Sequence, residues 1–143
     1  MNVTSKGRYA LRIMIYLAQH SDEGYISLKT ISDRTELSMK YLEMIVGNLK
    51  KAQLVDSTRG KEGGYKLSRK PEEYTVGEIL NCLEDNLAPV ACIKAGSINC
   101  DRSDACLTVP MWKELDDITN AYLATVTPVS YTHLRAHETR SNL

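Results

Sequence analysis

A chain of 143 residues with 43% hydrophobic and 25% charged residues is ordinary for one soluble domain with an appendage, and it lacks the run of about 18 apolar residues that spans a membrane. Its formal net charge of zero hides an asymmetry: residues 1–70 carry 13 Lys and Arg against 7 Asp and Glu, whereas residues 71–127 carry 3 against 10. A basic half is expected of a module that contacts nucleic-acid phosphates, although on charge alone a solvated asymmetry without a partner has equal weight.

Apolar spacing and capping residues predict four helices in the first part of the chain. The first occupies residues 9–19, where apolar side chains recur at mostly helical spacing. Ser27, Ser38 and Thr75 can each cap a following helix, because apolar residues on both sides of each can form a hydrophobic staple. Glu78, three residues after Thr75, is placed to complete a capping box.

The helix that begins after Ser38 has the pattern of a DNA-recognition helix. Its buried face is formed by Leu42, Ile45, Val46 and Leu49. Its opposite face carries Lys40, Glu43, Met44, Asn48, Lys50 and Lys51. Residues 35–37 fit the short turn of a helix-turn-helix. Because a charged face is most often only solvated, the helix pair needs a second feature before it indicates DNA binding.

A basic, glycine-rich hairpin supplies that second feature. Two β-type runs at residues 55–58 and 65–67 flank the segment Arg59-Gly60-Lys61-Glu62-Gly63-Gly64-Tyr65, whose glycines allow the positive φ angles of a tight turn. Alone, this could be an ordinary surface hairpin. After a recognition-type helix it predicts a wing, so the fold class is mainly α with a small β-hairpin wing: a winged helix-turn-helix.

A long amphipathic helix is predicted at residues 111–125, after a loop that spans residues 85–108. Its apolar stripe consists of Trp112, Leu115, Ile118, Tyr122 and Leu123. A second copy of the same helix in a homodimer would cover this stripe, and two-fold symmetry suits a regulator that reads paired half-sites. The alternative is that the helix packs back on its own domain.

Three cysteines in the loop, Cys92, Cys100 and Cys106, form the candidate sensor site. Because no apolar signal segment is present, we expect a cytoplasmic protein, in which cysteines favour metal, cluster or redox roles over disulfides. The spacing permits an iron–sulfur cluster and lacks the closely spaced cysteine pairs of structural zinc. A thiol-based redox or metal sensor and purely structural cysteines remain alternatives, and Cys82 is expected in the core.

The sequence resembles the Rrf2 family of bacterial winged-helix transcription regulators of the IscR, NsrR and CymR types. The resemblance covers residues 1–127 and rests on residues 4–10, on Ser38 with Tyr41-Leu42-Glu43, on Arg59-Gly60 with Gly63-Gly64-Tyr65, and on the three cysteines before Trp112. It implies a homodimer that binds a palindromic operator in double-stranded DNA. It places Ser38, Lys40, Tyr41 and Glu43 at the groove and Arg59 in the minor groove.

The resemblance also implies an iron–sulfur cluster, more in keeping with [2Fe–2S] than [4Fe–4S], on the three cysteines. Where one type of iron–sulfur regulator has a histidine ligand, this chain has Val109, so the fourth ligand is open. The candidates are Asp101, Asp104, Cys82, a residue of the partner subunit or a small molecule. Gln53 departs from the glycine usual after the recognition helix, at an expected cost of a fraction of a kcal/mol.

The sequence therefore predicts three regions: a DNA-binding domain at 1–70, a sensor and dimerisation region at 71–127, and a non-native or disordered tail at 128–143. The tail resembles translated sequencing-adapter read-through, so His133 and His137 are discounted as metal ligands. No nucleophile–base constellation is visible, which predicts a protein that is not an enzyme. A cluster-free regulator controlled by a sulfur metabolite or a sulfur-metabolism partner protein, and an iron–sulfur or zinc interaction module that does not bind DNA, are the rival functions.

Overall fold

A computed structural model describes residues 3–84, 87–94, 97–98 and 106–128 of the chain. Over these residues the chain forms five α-helices and two antiparallel hairpins, which confirms the predicted fold class. In chain order the elements are α1 (Ser5–Gln19), α2 (Leu28–Thr35), α3 (Met39–Lys51), β1 (Val55–Thr58), β2 (Gly64–Leu67), α4 (Val76–Leu83), β3 (Ile93–Lys94), β4 (Ser97–Ile98) and α5 (Val109–Leu123). None of the described helices is long and apolar enough to cross a membrane.

The predicted helix caps are confirmed. The hydroxyl groups of Ser27, Ser38 and Thr75 accept hydrogen bonds from backbone N–H groups in the first turns of α2, α3 and α4, at 3.1, 3.3 and 3.1 Å. The first helix begins at Ser5, four residues earlier than predicted, with Thr4 as its cap. Its first turn was missed because that turn is mostly polar and exposed, and so shows no apolar periodicity.

The predicted capping box at α4 forms only in part, because Glu78 has a different partner. Its carboxylate accepts a hydrogen bond from the Arg69 guanidinium at 2.5 Å and does not return to the backbone of Thr75. Arg69 also lies over the ring of Tyr74, with 4.5 Å between the guanidinium carbon and the ring centroid. The buried Tyr74 hydroxyl donates to the carbonyl of Leu54 at 2.6 Å, which joins the start of β1 to the segment before α4.

The predicted wing forms from β1 and β2, with Val55 opposite Leu67 and Thr58 opposite Gly64. A third segment extends this small sheet, since Ile26 pairs with Tyr65 through two backbone hydrogen bonds of 2.9 and 2.8 Å. The wing is therefore attached at its base to the segment that precedes α2. The sequence did not reveal this pairing, because one residue in extended conformation has no pattern.

The C-terminal part differs from the prediction in two details. Strands β3 and β4 form a short hairpin inside the segment predicted as a loop at 85–108. The last helix, α5, is shifted two residues towards the N-terminus relative to the predicted 111–125. Its first turn contains Pro110, which is tolerated because an N–H group there needs no partner within the helix. The predicted tail lies outside the described residues, except for Pro128.

The hydrophobic core lies between α1, α2, α3 and α4, with the wing strands at one side. Helix α3 contributes four residues of negligible exposure: Leu42, Ile45, Val46 and Leu49. Tyr74 and Ile79, from beyond residue 70, belong to the same core. Helix α4, which lies in the predicted region 71–127, is thus packed on the core of the predicted DNA-binding domain. The division of the chain at residue 70 stays a prediction.

The end of α3 is closed by two backbone hydrogen bonds that require a left-handed residue. Gln53 has a φ of 62°, its N–H donates to the carbonyl of Lys50 at 2.9 Å, and the N–H of Leu54 donates to the carbonyl of Leu49 at 3.0 Å. This is a Schellman motif, in which glycine is the usual residue at the left-handed position. The buried side chains of Leu49 and Leu54 supply the hydrophobic contact that accompanies it.

We expect Gln53→Gly to raise the free energy of unfolding by about 0.5–1 kcal/mol. Glycine relieves a left-handed conformation that costs other residues about 1–2 kcal/mol, and part of this gain is offset by its larger freedom in the unfolded chain. Urea unfolding measures the change. As a control, Ala52→Gly replaces the preceding residue, which has a negative φ of −80°, and should destabilise the chain. Equal losses for both variants would contradict the role given to Gln53.

Candidate nucleic-acid interface and cysteine loop

The N-terminal end of α3 is fixed by its cap and by a pair of aromatic rings. The Ser38 hydroxyl accepts a hydrogen bond from the N–H of Tyr41, so this oxygen is already engaged in the folded chain. The ring of Tyr41 is partly buried and meets the ring of Tyr9 on α1 edge to face, at 5.6 Å between centroids. These contacts join the first turn of α3 to α1.

The turn between α2 and α3 is tied down by side chains from both earlier helices. Glu36 has a left-handed φ of 61° in this turn. The Ser32 hydroxyl donates to the carbonyl of Leu37 at 2.5 Å, and the guanidinium of Arg12 donates to the carbonyl of Thr35. Sequence reasoning missed Arg12, because nothing in its neighbours indicates that it reaches the end of α2. With these contacts the geometry of the helix-turn-helix is set before any ligand arrives.

The outer face of α3 is exposed. Of the residues predicted to reach DNA, Lys40 and Glu43 are exposed on this face. Tyr41 is only partly exposed, and Ser38 is exposed at the N-terminal cap of the helix. Met39 and Met44 are also exposed there, at 42% and 40%. A helix of about 10–12 Å diameter with such a free face is suited to the major groove. The contacts of these residues with DNA stay a prediction.

The tip of the wing is exposed, whereas its base is packed. Arg59 and Gly60 lie at the tip, where Gly60 has a φ of 108° and its carbonyl accepts from the N–H of Gly63 at 3.0 Å. Gly64 is buried, and a Cβ atom on it would overlap the backbone carbonyl of Ile26. Gly64 is therefore required by the fold itself. Its predicted role at DNA, like those of Arg59, Gly60, Gly63 and Tyr65, remains a prediction.

The described cysteines differ in environment. Cys92 and Cys106 are partly buried, and Cys100 lies outside the described residues. Hydrogen bonding to the hydroxyl of Thr108, 3.4 Å from the sulfur, and to nearby backbone lowers the pKa of the Cys106 thiol, which favours the thiolate. Cys82 is the opposite case: burial raises its pKa, and its thiol donates to the carbonyl of Asn48 on α3 at 3.4 Å.

The described residues include some of the ligands that an iron–sulfur cluster needs, but not all of them. Thiolates are its usual ligands, and Cys106 is held in an environment that favours one. Asp116 on α5 is buried to 2% exposure, and its Oδ2 has no hydrogen-bond partner in the part of the chain described here. No three Cys, His, Asp or Glu side chains of the described ranges lie together as a metal site. The candidates Cys100, Asp101 and Asp104 fall outside those ranges.

One side of α5 is packed and the other is exposed. The packed side contacts α4, β3 and β4, and the carbonyl of Val126 accepts from the N–H of Val76 at 2.8 Å. The exposed side carries an apolar stripe that we call the α5 stripe: Met111, Leu115, Ile118 and Tyr122. Beside it lies a mostly apolar groove of about 500 Å³ between α1, α4 and the end of α5.

Comparison with known proteins places this architecture in one family. Residues 3–128 match the family model described as Rrf2, an iron-dependent transcriptional regulator. The HTH-type transcriptional regulator IscR of Aliivibrio salmonicida is 38% identical over 123 residues, covering 86% of this chain and 72% of that protein. IscR of Pectobacterium atrosepticum is 38% identical over 127 residues, covering 89% and 76%.

Solved structures agree with these sequence matches. The structure of T. potens IscR superposes with a TM-score of 0.73 at 34% identity, over 93% of this chain and 87% of that one. CymR, the global cysteine regulator of B. subtilis, superposes with a TM-score of 0.75 at 34% identity, over 94% and 98%. The chain belongs to the Rrf2 family of winged-helix transcription regulators, whose members are regulators and not enzymes.

Proposed function

We propose that this chain is a cytoplasmic, homodimeric repressor that binds a palindromic operator and responds to an iron–sulfur cluster or to the redox state of its cysteine loop. The observation that carries DNA binding is the exposed outer face of α3, whose first turn is fixed by Ser38 and whose end is fixed around Gln53. A rigid helix with a free face loses little conformational entropy when it enters a groove.

In this proposal α3 enters the major groove and the wing tip follows the adjacent backbone and minor groove. Lys40 and Glu43 are the side chains best placed to meet base edges, with Ser38 and Tyr41 at the start of the helix. The Arg59 guanidinium inserts into the minor groove. The remaining wing residues shape that approach: Gly60, Gly63, Gly64 and Tyr65.

The α5 stripe is the proposed dimer contact. Four exposed apolar residues at helical spacing form a continuous seam, and a second copy in antiparallel orientation would bury it. Dimerisation would set the distance between two copies of α3, which is the distance between half-sites of a palindrome. The regions proposed for these tasks are 1–70 for DNA and 71–127 for sensing and dimerisation.

Cys92, Cys100 and Cys106 would hold the cluster, with [2Fe–2S] favoured. When bound, it supplies a redox-labile crosslink between parts of one loop. Cys82 is a poor fourth ligand, because its thiol is engaged by Asn48 and its pKa is raised by burial. Strands β3 and β4 of this loop contact α5. If the loop becomes more or less ordered, the position of α5, the proposed dimer helix, would therefore change.

The second candidate is a cluster-free regulator controlled by a sulfur metabolite or a sulfur-metabolism partner protein. Val109 favours this candidate, because it stands where one type of iron–sulfur regulator has its histidine ligand. Its aliphatic side chain is buried at the start of α5 and cannot bind iron. The similarity to the global cysteine regulator CymR of B. subtilis is consistent with this candidate. An interaction module without DNA binding is no longer supported, since the family consists of transcription regulators.

Arg59→Ala should weaken operator binding by about 1–3 kcal/mol, because it removes a charged group from the minor groove. Fluorescence anisotropy over a series of salt concentrations measures both the affinity and the salt slope. Lys113→Ala, which removes the same charge from α5, where Lys113 pairs with Asp117, should leave binding unchanged. Equal affinity of wild type and Arg59→Ala at every salt concentration would contradict the proposed contact between the wing and DNA.

Anaerobically purified protein should absorb visible light and contain iron and sulfide, and Cys106→Ser should lose all three. Cys82→Ala is the matched control and should keep them, because Cys82 faces α3. Operator affinity is then measured on loaded and cluster-free samples of the wild type, and we expect the two to differ. A colourless, iron-free wild type that binds its operator would support the cluster-free candidate instead.

Ile118→Glu should convert the dimer into a monomer, because it places a charge in the middle of the α5 stripe at a residue that is 59% exposed in the isolated chain. Sedimentation equilibrium gives the mass in solution. Asn120→Glu adds the same charge at an exposed position of α5 outside the stripe and should remain dimeric. A dimer of unchanged affinity in Ile118→Glu would show that another surface joins the subunits.

A further inference from the structure

The outer face of α3 carries a line of four residues at the spacing i, i+4, i+7 and i+11, which we call the α3 line: Lys40, Met44, Gly47 and Lys51. All four are exposed. The two ends are cationic, whereas the two middle positions offer no charged or hydrogen-bonding side chain. The middle of the α3 line is therefore apolar and shallow, and a partner that lies along the line must match that pattern.

Met44 is the apolar group at the centre of the line. Leu42 and Ile45, its neighbours in sequence on the inner face, have no exposed area, whereas Met44 keeps 40% of its surface exposed. The core does not use this side chain. A single exposed apolar residue is common on protein surfaces and would not by itself indicate a contact. The next residue of the line supplies the independent observation.

Gly47 lies in the interior of α3, where glycine destabilises a helix by about 0.5–1 kcal/mol relative to alanine. At Gly7 and Gly64 the fold explains the glycine, because a Cβ atom would overlap Glu84 and Ile26 respectively. At Gly47 a Cβ atom would meet nothing within 4 Å. No neighbouring atom of the described chain requires glycine there, and the open position permits a molecule outside the chain to approach the helix backbone closely.

The charges around these two residues indicate which molecule fits. Lys40 and Lys51 end the line and Lys50 lies beside it, whereas Glu43, one turn before Gly47, is an acidic residue on the same face. The cationic ends fit a partner that carries negative charge on both sides of an apolar centre. The major groove of DNA has this arrangement, because phosphates border a floor on which the C5-methyl of thymine is the apolar group. Methionine, flexible and polarizable, can pack closely against such a methyl group.

We infer that Met44 contacts the C5-methyl group of a thymine in each half-site, and that Gly47 lets α3 lie deep enough in the major groove for this contact. The inference rests on the proposed function, since it presumes that α3 is the helix that enters the groove. It adds a specificity-determining residue to that function. The preferred base follows from the chemistry of the side chain, because only thymine presents a methyl group there.

The test uses the full chain and a duplex enriched from a random pool by that chain. Each thymine of the duplex is replaced in turn by deoxyuridine, which removes only the methyl group. Replacement at one symmetric pair of positions should weaken binding of the wild type about fourfold for each half-site. This factor corresponds to the free energy of burying one methyl group. Met44→Ala should bind the original duplex more weakly and lose this discrimination. Met44→Leu should retain part of the discrimination between thymine and deoxyuridine. The control variant Met39→Ala should retain all of it.

Gly47→Ala provides a second readout with opposite signs for folding and binding. Alanine should raise the melting temperature of the free chain, because the position is helical and open, and should lower affinity for the enriched duplex by at least fourfold. Unchanged affinity in Gly47→Ala, or a Met44→Ala variant that still discriminates thymine from deoxyuridine, would overturn the inference. If the chain still binds the duplex in a salt-dependent way, the proposed function is retained and only the inference fails. If the chain enriches no duplex, both the inference and the proposed function are overturned.

Discussion

The packing of α3 against the other helices is the constraint on which the rest of the structure depends. Its four inner residues are fully buried, so the outer face cannot rotate without opening the core. The ends are equally restricted: Arg12 and Tyr9 of α1 act near the first turn, and the left-handed Gln53 closes the last. In the proposed mode of DNA recognition, the position of the whole α3 helix therefore decides the contact, because the helix itself is held rigid.

Helix α4 connects this rigid module to the cysteine loop. Ile79 lies in the core of the DNA-binding module, and Cys82 donates a hydrogen bond to α3 itself. At the end of α4, the carboxylate of Glu84 accepts hydrogen bonds from the N–H and the hydroxyl of Thr4, both at 2.8 Å, at the cap of α1. The segment that leads into the cysteine loop thus starts from a residue anchored to α1. A rearrangement of the loop would act on the module as one body.

Local chemistry made much of this structure predictable from the sequence. Caps such as Ser38 and the buried face of α3 depend on residues a few positions apart, and these predictions were confirmed. The failures concern partners distant in sequence. Glu78 pairs with Arg69 and not with its own helix end, and the wing base pairs with Ile26. The sequence shows which groups can bond, whereas only the fold decides which of them meet.

Glycine illustrates the same difference at the candidate site. Gly60 supplies a positive φ in a turn, Gly64 allows two backbones to touch, and Gly47 does neither. Two of these glycines are thus explained by the fold, whereas the role of Gly47 at DNA is an inference. Because Gly64 fixes the base of the wing to the segment before α2, only the tip around Arg59 and Gly60 is left to adapt to a duplex. In the proposed complex with DNA, the base of the wing therefore moves together with the helix-turn-helix, and the wing tip adds to the contact made by α3.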